Sequence, residues 1–174
     1  MTLNKALDDM QFCNELDALN LTFCYQELDE GEERYKLYQS LEEEGINPFS
    51  NMTEIFKYMF YSCESLTNLV VPHNITTIGY WGCAYCDNLE SVIIPDSVTN
   101  IDSYAFFNCT GLKTITIPNS VKSINYSAFV ACKHLSINFS GTKSEWKTLT
   151  AGKEIFTGGT YECKCVDGIV KKGR

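Results

Sequence analysis

The stretch LESVIIPDSVTNIDSYAFFNCTG (residues 89–111) decides the fold, because the next 23 residues, LKTITIPNSVKSINYSAFVACKH (residues 112–134), repeat it column by column. Leucine is the first residue of each segment, proline the seventh and cysteine the twenty-first. Apolar residues recur at the fourth, sixth, tenth, thirteenth and eighteenth positions as well. A fixed period of this length is the signature of a repeat array.

The same period continues towards the N-terminus. Residues 66–88, LTNLVVPHNITTIGYWGCAYCDN, form a third unit, and residues 43–65 form an earlier, eroded one. The columns that keep the 23-residue step are Cys63, Cys86, Cys109 and Cys132; Pro72, Pro95 and Pro118; and Ile55, Ile78, Ile101 and Ile124. We therefore expect four units, 43–65, 66–88, 89–111 and 112–134.

The apolar columns predict the path of one coil. Positions four and six, such as Val92 and Ile94, are two residues apart and indicate a short strand with one buried face, which the following proline ends. Positions 10 and 13 begin the return path, and the segment YAFFNC (104–109) suits a tight helical turn. One coil cannot bury these side chains alone, but coils stacked about 4.8 Å apart by parallel strand pairing can.

The motif L-x-x-I-x-I-P-x-S-V-x-x-I-x-x-x-A-F-x-x-C, which units 89–111 and 112–134 carry, resembles the BspA-type (Treponema pallidum-type) leucine-rich repeats. Residues 139–146, FSGTKSEW, also look like the segment that closes such arrays, whereas Gly82-Cys83 stands where Ala-Phe is usual. The resemblance implies a leucine-rich-repeat solenoid of short parallel strands with helical or irregular return turns. It also implies a non-enzymatic protein that binds other proteins, as the family's bacterial and protist members do.

Both ends of a solenoid need caps. We expect a mixed, mainly helical N-terminal cap over residues 1–45, the repeats over 46–140 and a C-terminal cap over 141–174. Leu3, Leu7 and Met10 recur at helical spacing, and a second helix is expected over residues 32–44 with Leu37 and Leu41 on one face.

The C-terminal cap is expected to be a helix followed by a hairpin. Thr142 and Glu145 have the spacing of a capping box, so a helix should begin there and bury Trp146. Alternating residues 161–165 precede Asp167-Gly168, which is a hairpin-turn signal.

Charge is concentrated at the N-terminus. The chain of 174 residues has a formal charge of −8, and residues 1–45 alone hold twelve acidic against three basic residues. The simpler interpretation of these acidic residues is that they form the solvent-exposed surface of a cap. The alternative is an acidic inhibitor that occupies a basic, nucleic-acid-binding site on its target. Its acidic surface would consist of Glu32, Glu33, Glu42, Glu43 and Glu44. The chain itself is a poor candidate for direct nucleic-acid binding.

Nine cysteines raise a second alternative, a zinc or thiol-redox protein. Cys83 and Cys86 form a C-x-x-C motif, and Cys163 and Cys165 a C-x-C motif. The repeat alignment instead places Cys86 in a buried column and therefore favours reduced, structural thiols. We expect no metal and no cofactor. No catalytic motif is present and only two histidines exist, so we expect no enzyme.

Two features bear on location. No run of about 18 uncharged apolar residues exists, so no membrane span is expected. The first residues lack the pattern of a secretory signal. This favours a cytoplasmic protein, or a cell-surface or secreted one, as for the family's members, if a signal was removed.

The expected function is a non-enzymatic, protein-binding module that presents a rigid surface, and two surfaces are candidates for it. On the strand side, Val70, Ile93 and Thr116 should point outward side by side, where apolar residues have no core role. On the return side, aromatic residues accumulate at variable positions, and they suit interface anchors unless they are half-buried packing. The aromatic candidates are Tyr58, Tyr61, Trp81, Tyr85, Tyr104, Phe107 and Tyr126.

Overall fold

The structure, a computed structural model, describes residues 31–43, 49 and 52–172. The first predicted helix, with Leu3, Leu7 and Met10, lies outside these residues. The elements in chain order are α1 (Gly31–Glu43), β1 (Glu54–Ile55), β2 (Asn68–Val70), β3 (Thr77–Ile78), β4 (Ser91–Ile93), β5 (Asn100–Ile101), β6 (Thr114–Ile117), β7 (Ser123–Ile124), β8 (His134–Phe139), α2 (Lys143–Thr150), β9 (Thr160–Cys165) and β10 (Gly168–Lys172).

Two sheets run along the stack of coils. The larger has the order β10-β9-β8-β6-β4-β2 and the smaller β1-β3-β5-β7. From β1 to β7 the strands of both sheets pair at the sequence period, since Val92 lies opposite Ile115 and Ile78 opposite Ile101. The predicted solenoid is thus confirmed. The smaller sheet was not predicted, because its two-residue strands are too short to show alternation.

The predicted helical turn at 104–109 is wrong. The backbone N–H groups of Tyr104, Phe106 and Asn108 donate to carbonyl groups 22 residues later in the next coil, at 2.8–3.1 Å. The N–H groups between them donate to carbonyl groups three residues earlier. Tyr104 and Asn108 have left-handed backbones, with φ of 61° and 55°. A helix cannot accommodate such residues, so this segment is a pair of turns that adds a third hydrogen-bonded ladder between coils.

The columns of the sequence are the columns of the core. Ile55, Ile78, Ile101 and Ile124 are fully buried one above another. The cysteine column lies beneath the return turns, and from Cys86 onward each thiol donates to a carbonyl oxygen 26 residues earlier, at 3.0–3.3 Å. The stacking predicted from the 23-residue period therefore accounts for the buried side chains.

Helix α1 agrees within one residue with the helix predicted over 32–44. Leu37 and Leu41 are buried, as its apolar face requires. Tyr35 and Tyr38 pack their rings against Phe60, each with centroids 6.2 Å away. The helix therefore covers the apolar end of the first coil.

The predicted helix and hairpin also form at the C-terminal end. The backbone N–H of Glu145 donates to Thr142 Oγ1 at 3.2 Å, and that of Thr142 donates to Glu145 Oε2 at 2.7 Å, which completes the capping box. Trp146 is buried, with ring centroids 5.2 Å from Phe139 and 6.2 Å from Phe156. Strand β9 pairs in parallel with β8 and antiparallel with β10, so the hairpin extends the larger sheet.

Candidate binding surfaces

Eight aromatic side chains from four successive coils form one continuous surface over the return turns. Each ring lies against another of the set, with centroid separations of 4.9–6.3 Å. We call this surface the aromatic face; its members are Tyr58, Tyr61, Tyr80, Trp81, Tyr85, Tyr104, Phe107 and Tyr126. All seven aromatic residues that the sequence singled out belong to it.

The return turn brings these rings together. Tyr58, Trp81 and Tyr104 occupy one column and share a left-handed backbone, with φ of 61°, 56° and 61°. Such a backbone costs a non-glycine residue about 1–3 kcal/mol, so it persists only where the surrounding structure over-determines it. The inter-coil hydrogen bonds of the return turns supply that restraint: Tyr58 N–H donates to Tyr80 O at 3.2 Å and Tyr104 N–H to Tyr126 O at 3.1 Å.

Trp81 lies at the centre of the aromatic face. Its ring stacks on Tyr104 at 4.9 Å and 17°, and on Tyr85 at 5.8 Å and 10°. The indole Nε1 is buried and has no hydrogen-bond acceptor in the part of the chain that the structure describes. Trp81 is therefore half-buried and contributes packing between coils as well as exposed surface. Tyr85, Tyr104 and Phe107 are half-buried too.

The rim of the face is more open. Tyr58, Tyr61 and Tyr80 expose 36–37% of their surface and Tyr126 exposes 51%. Sequence reasoning missed Tyr80, although it shares a column with Tyr126, and that column could have identified it. Lys57 Nζ lies 5.0 Å from the ring centroid of Tyr58 and 5.5 Å from that of Tyr80, which places one positive charge at the edge of the face.

The strand side carries the second predicted surface. Val70, Ile93 and Thr116 are neighbours in register on β2, β4 and β6. Val70 is 63% exposed and Ile93 50%, whereas Thr116 is half-buried. The two aliphatic side chains form a small apolar patch beside Thr116.

Three of the acidic candidates have side chains that the structure describes, and their environments differ. Glu32 accepts a hydrogen bond from the backbone N–H of Ser65 at 3.2 Å and another from the Ser65 hydroxyl, so it attaches α1 to the first coil. Glu33 is half-buried and Glu43 is exposed. Glu44 and the side chain of Glu42 lie outside the described residues.

The seven cysteines of the described chain are free thiols. Burial raises the pKa of Cys132 to about 12 and also raises that of Cys83. Cys163 and Cys165 hold their Sγ atoms 3.7 Å apart. Within the described ranges, no group of three His, Cys, Asp or Glu side chains could hold a metal ion. A raised pKa keeps the Cys83 and Cys132 thiols protonated and therefore poor nucleophiles and poor ligands, whereas hydrogen bonds from Cys109 and Cys63 lower the pKa of Cys86. The burial of all four column cysteines suits a packing role.

The stacked coils, the three ladders and the open aromatic face define a repeat solenoid with a preformed surface. Residues 33–156 match the family model described as BspA type leucine rich repeat region, with six copies. The chain therefore belongs to this family, which is generally non-enzymatic and fits a protein-interaction module.

A search among solved structures matched a leucine rich cell surface protein from Faecalibacterium prausnitzii A2-165. The two sequences are 28% identical, and the match covers 56% of this chain and 32% of that one, with a TM-score of 0.47. The chain thus matches about a third of that protein's length. No match was found among curated proteins. Among the described helices, none has the length and apolar character needed to cross a membrane.

Proposed function

We propose that this protein is a non-enzymatic, protein-binding module whose aromatic face contacts the partner. The observation that carries the proposal is that eight aromatic rings form a continuous surface across four coils. Four of these eight side chains expose at least 36% of their surface. Tyrosine and tryptophan are enriched among the side chains that dominate binding energy at protein interfaces. Isolated exposed aromatics need no explanation, but a contiguous patch of them does.

Rigidity supports the same proposal. Each return turn is fixed to the next coil by backbone hydrogen bonds, so the rings are held in place before a partner arrives. A preformed surface loses little conformational entropy on binding. The rings are uncharged. Two charged groups contact them at the rim: Lys57 Nζ lies over Tyr58 and Tyr80, and Glu154 Oε2 accepts a hydrogen bond from the Tyr126 hydroxyl at 3.4 Å. We therefore expect a partner surface that is apolar or aromatic at its centre.

The strand side is a second candidate. Val70 and Ile93 lie side by side, and each exposes at least half of its side chain. Packing of the core does not require apolar residues at these exposed positions. The patch consists of two aliphatic side chains, whereas the aromatic face spans four coils. We rank it second for this reason, because a small patch buries less apolar area.

The acidic-inhibitor alternative differs in a way that can be measured. It requires a basic partner, and charge reversal at Glu32, Glu33, Glu42, Glu43 and Glu44 would abolish binding. Under our proposal the same change leaves binding largely intact, since none of these residues belongs to the aromatic face. Stoichiometric zinc in reduced, purified protein would favour the zinc or thiol-redox alternative over our proposal.

A comparison of three double variants tests the proposal. Wild-type protein and the variants are immobilised, exposed to lysate and surface extract of the native host, and compared by quantitative mass spectrometry. Tyr61→Ser with Tyr126→Ser should reduce capture of a specific protein at least tenfold, because hot-spot residues contribute about 2 kcal/mol or more each. Val70→Ser with Ile93→Ser should not.

Val166→Ser with Ile169→Ser is the matched control. These residues are exposed apolar side chains of the C-terminal hairpin, which lies outside the aromatic face and is separated from β4 by β6 and β8. Circular dichroism must show that each variant remains folded. Capture that depends on Val70 and Ile93 but not on the tyrosines would overturn the proposal in favour of the strand side.

A further inference from the structure

A cleft lined by both apolar and polar residues opens at the C-terminal end of the solenoid. It lies between the start of β8 and the segment that leads into β9, and its volume is about 540 Å³. A shallower groove of about 410 Å³ adjoins it and shares part of its lining. The lining residues that matter here are Lys133, His134, Gly158, Gly159, Thr160 and Lys172.

The charge of the cleft is positive in a chain whose net charge is −8. Within the part of the chain that the structure describes, neither Lys133 nor Lys172 has a carboxylate within salt-bridge distance. Glu162 lines the adjoining groove, but its carboxylate pairs with Lys171 Nζ at 2.7 Å. Among residues 31–43, 49 and 52–172, no carboxylate therefore pairs with these two ammonium groups beside the cleft.

The cleft also offers oriented hydrogen-bond donors. Lys172 Nζ donates to the carbonyl oxygen of Phe156 at 2.6 Å, which fixes the ammonium and leaves two of its protons available. Thr160 Oγ1 lies 3.0 Å from His134 Nδ1. The backbone N–H groups of Gly158 and Gly159 donate to no acceptor among the described residues.

Glycine is required for this loop geometry. Gly158 has a left-handed backbone, with φ of 77°. A Cβ at Gly159 would lie 2.1 Å from the carbonyl oxygen of Cys132, so only glycine allows the loop to approach the last regular coil this closely. Successive backbone N–H groups next to a left-handed residue form the type of concavity that binds anions.

We propose that this cleft binds a phosphate or sulfate group. Both are tetrahedral oxyanions rich in acceptor oxygens, and the residues that line the cleft carry ammonium and backbone N–H donors. The group could be a free ion or could be carried by a larger molecule such as a sugar. The site is independent of the proposed protein-binding surface, and either can fail without the other.

The test is a titration of the ¹⁵N-labelled full chain followed by nuclear magnetic resonance. Sodium phosphate and sodium sulfate are added at constant ionic strength, with sodium chloride as the reference. We expect saturable shifts of the Gly158, Gly159 and Thr160 amide signals, with little change on the aromatic face. Absence of saturable shifts for both anions would overturn the proposal.

Matched variants separate the site from general charge. Lys133→Gln with Lys172→Gln should weaken phosphate and sulfate binding at least tenfold, which corresponds to about 1.4 kcal/mol. Lys147→Gln, an exposed position on α2, should change it less than twofold. Lys133→Gln alone, at an exposed side chain without an ion pair, serves if the double variant fails to fold. Equal weakening by Lys147→Gln would contradict a specific site.

A second pair of ligands identifies the source of the anion. A hexose 6-phosphate or hexose 6-sulfate that binds tighter than the inorganic ion would indicate a group carried on a sugar. Equal affinities would indicate the free anion. Both results support the cleft as an oxyanion site, whereas saturable binding that maps to residues outside it would contradict the proposal.

Discussion

The strand side and the return side of the coils share one 23-residue period, but they use it differently. On the strand side, side chains alternate in and out along β2, β4 and β6, so the exposed positions are separated by buried ones. On the return side, left-handed residues break this alternation, and adjacent residues such as Tyr80 and Trp81 both join one surface. The return turns can therefore accumulate a large aromatic patch, which the strands cannot.

This difference indicates which positions can change between coils to alter the binding surface. Core columns must repeat, because each residue packs on its equivalents above and below. Positions on the aromatic face vary from coil to coil: the column of Tyr58, Trp81 and Tyr104 continues as Ser127 in the last regular unit. Variation at exposed positions changes the surface without disturbing the stack.

The largest expected effect tests the core that both sides share. Ile101 is fully buried, and Ile101→Ala should lower the free energy of unfolding by about 2–5 kcal/mol because it leaves a cavity. Ser103→Ala, at a half-buried position two residues away, should change it by less than about 0.5 kcal/mol. Urea denaturation measures both, and equal losses would mean that the columns are wrongly assigned.

The next effect separates the two sides directly. Trp81→Ala removes the ring on which the aromatic face is centred and should cost about 2 kcal/mol, less than for a fully buried ring. Ile93→Ala, at a half-exposed strand position, should cost under about 0.5 kcal/mol. If thermal denaturation gives Ile93→Ala the larger loss, the aromatic face contributes no packing.

The buried parts of this architecture could be predicted from the sequence, and several exposed or irregular parts could not. Buried columns repeat, so the stacking, the larger sheet and the capping box were all predictable. The left-handed turns were not, since tyrosine and tryptophan at such positions carry no turn signal. Strand β8 also pairs one residue out of period, with Ile115 opposite Ile137. The cleft was beyond sequence reasoning, because Lys133 and Lys172 come together only through the closing hairpin.

A pH effect tests the thiol column beneath the return side. The pKa of Cys132 is raised to about 12, whereas an unfolded cysteine titrates near 8.5. The unfolded chain then binds fewer protons than the folded one between these values. The contribution of Cys132 to the free energy of unfolding is therefore fully present below about pH 8.5. Above this pH it falls by about 1.4 kcal/mol per pH unit.

Urea denaturation at pH 8, 9 and 10 measures this slope. Cys132→Ala should make the decline shallower by about 1.4 kcal/mol per pH unit between pH 9 and 10. Ser144→Ala, at an exposed position in α2 that carries no titrating group, is the control and should leave the slope at that of the wild type. Identical slopes for wild type and Cys132→Ala would show that the column thiol is not buried in solution.

The smallest effect concerns the end of the return side, where α2 takes the place of a further strand in the smaller sheet. Thr142→Ala removes the side chain that accepts from Glu145 N–H and should cost about 1 kcal/mol. Ser144→Ala, exposed in the same first turn, should cost less than half of this. Thermal denaturation compares them, and a larger loss at Ser144 would contradict the capping box.

Site-specific photo-crosslinking tests the central claim most directly. A benzoylphenylalanine placed at Tyr61, on the aromatic face, is compared with one placed at Ile93, on the strand side, in extracts of the native host. Our account predicts a discrete cross-linked protein from position 61 and none from position 93. A cross-link from position 93 alone would contradict it, and would place the partner on the opposite side of the coils.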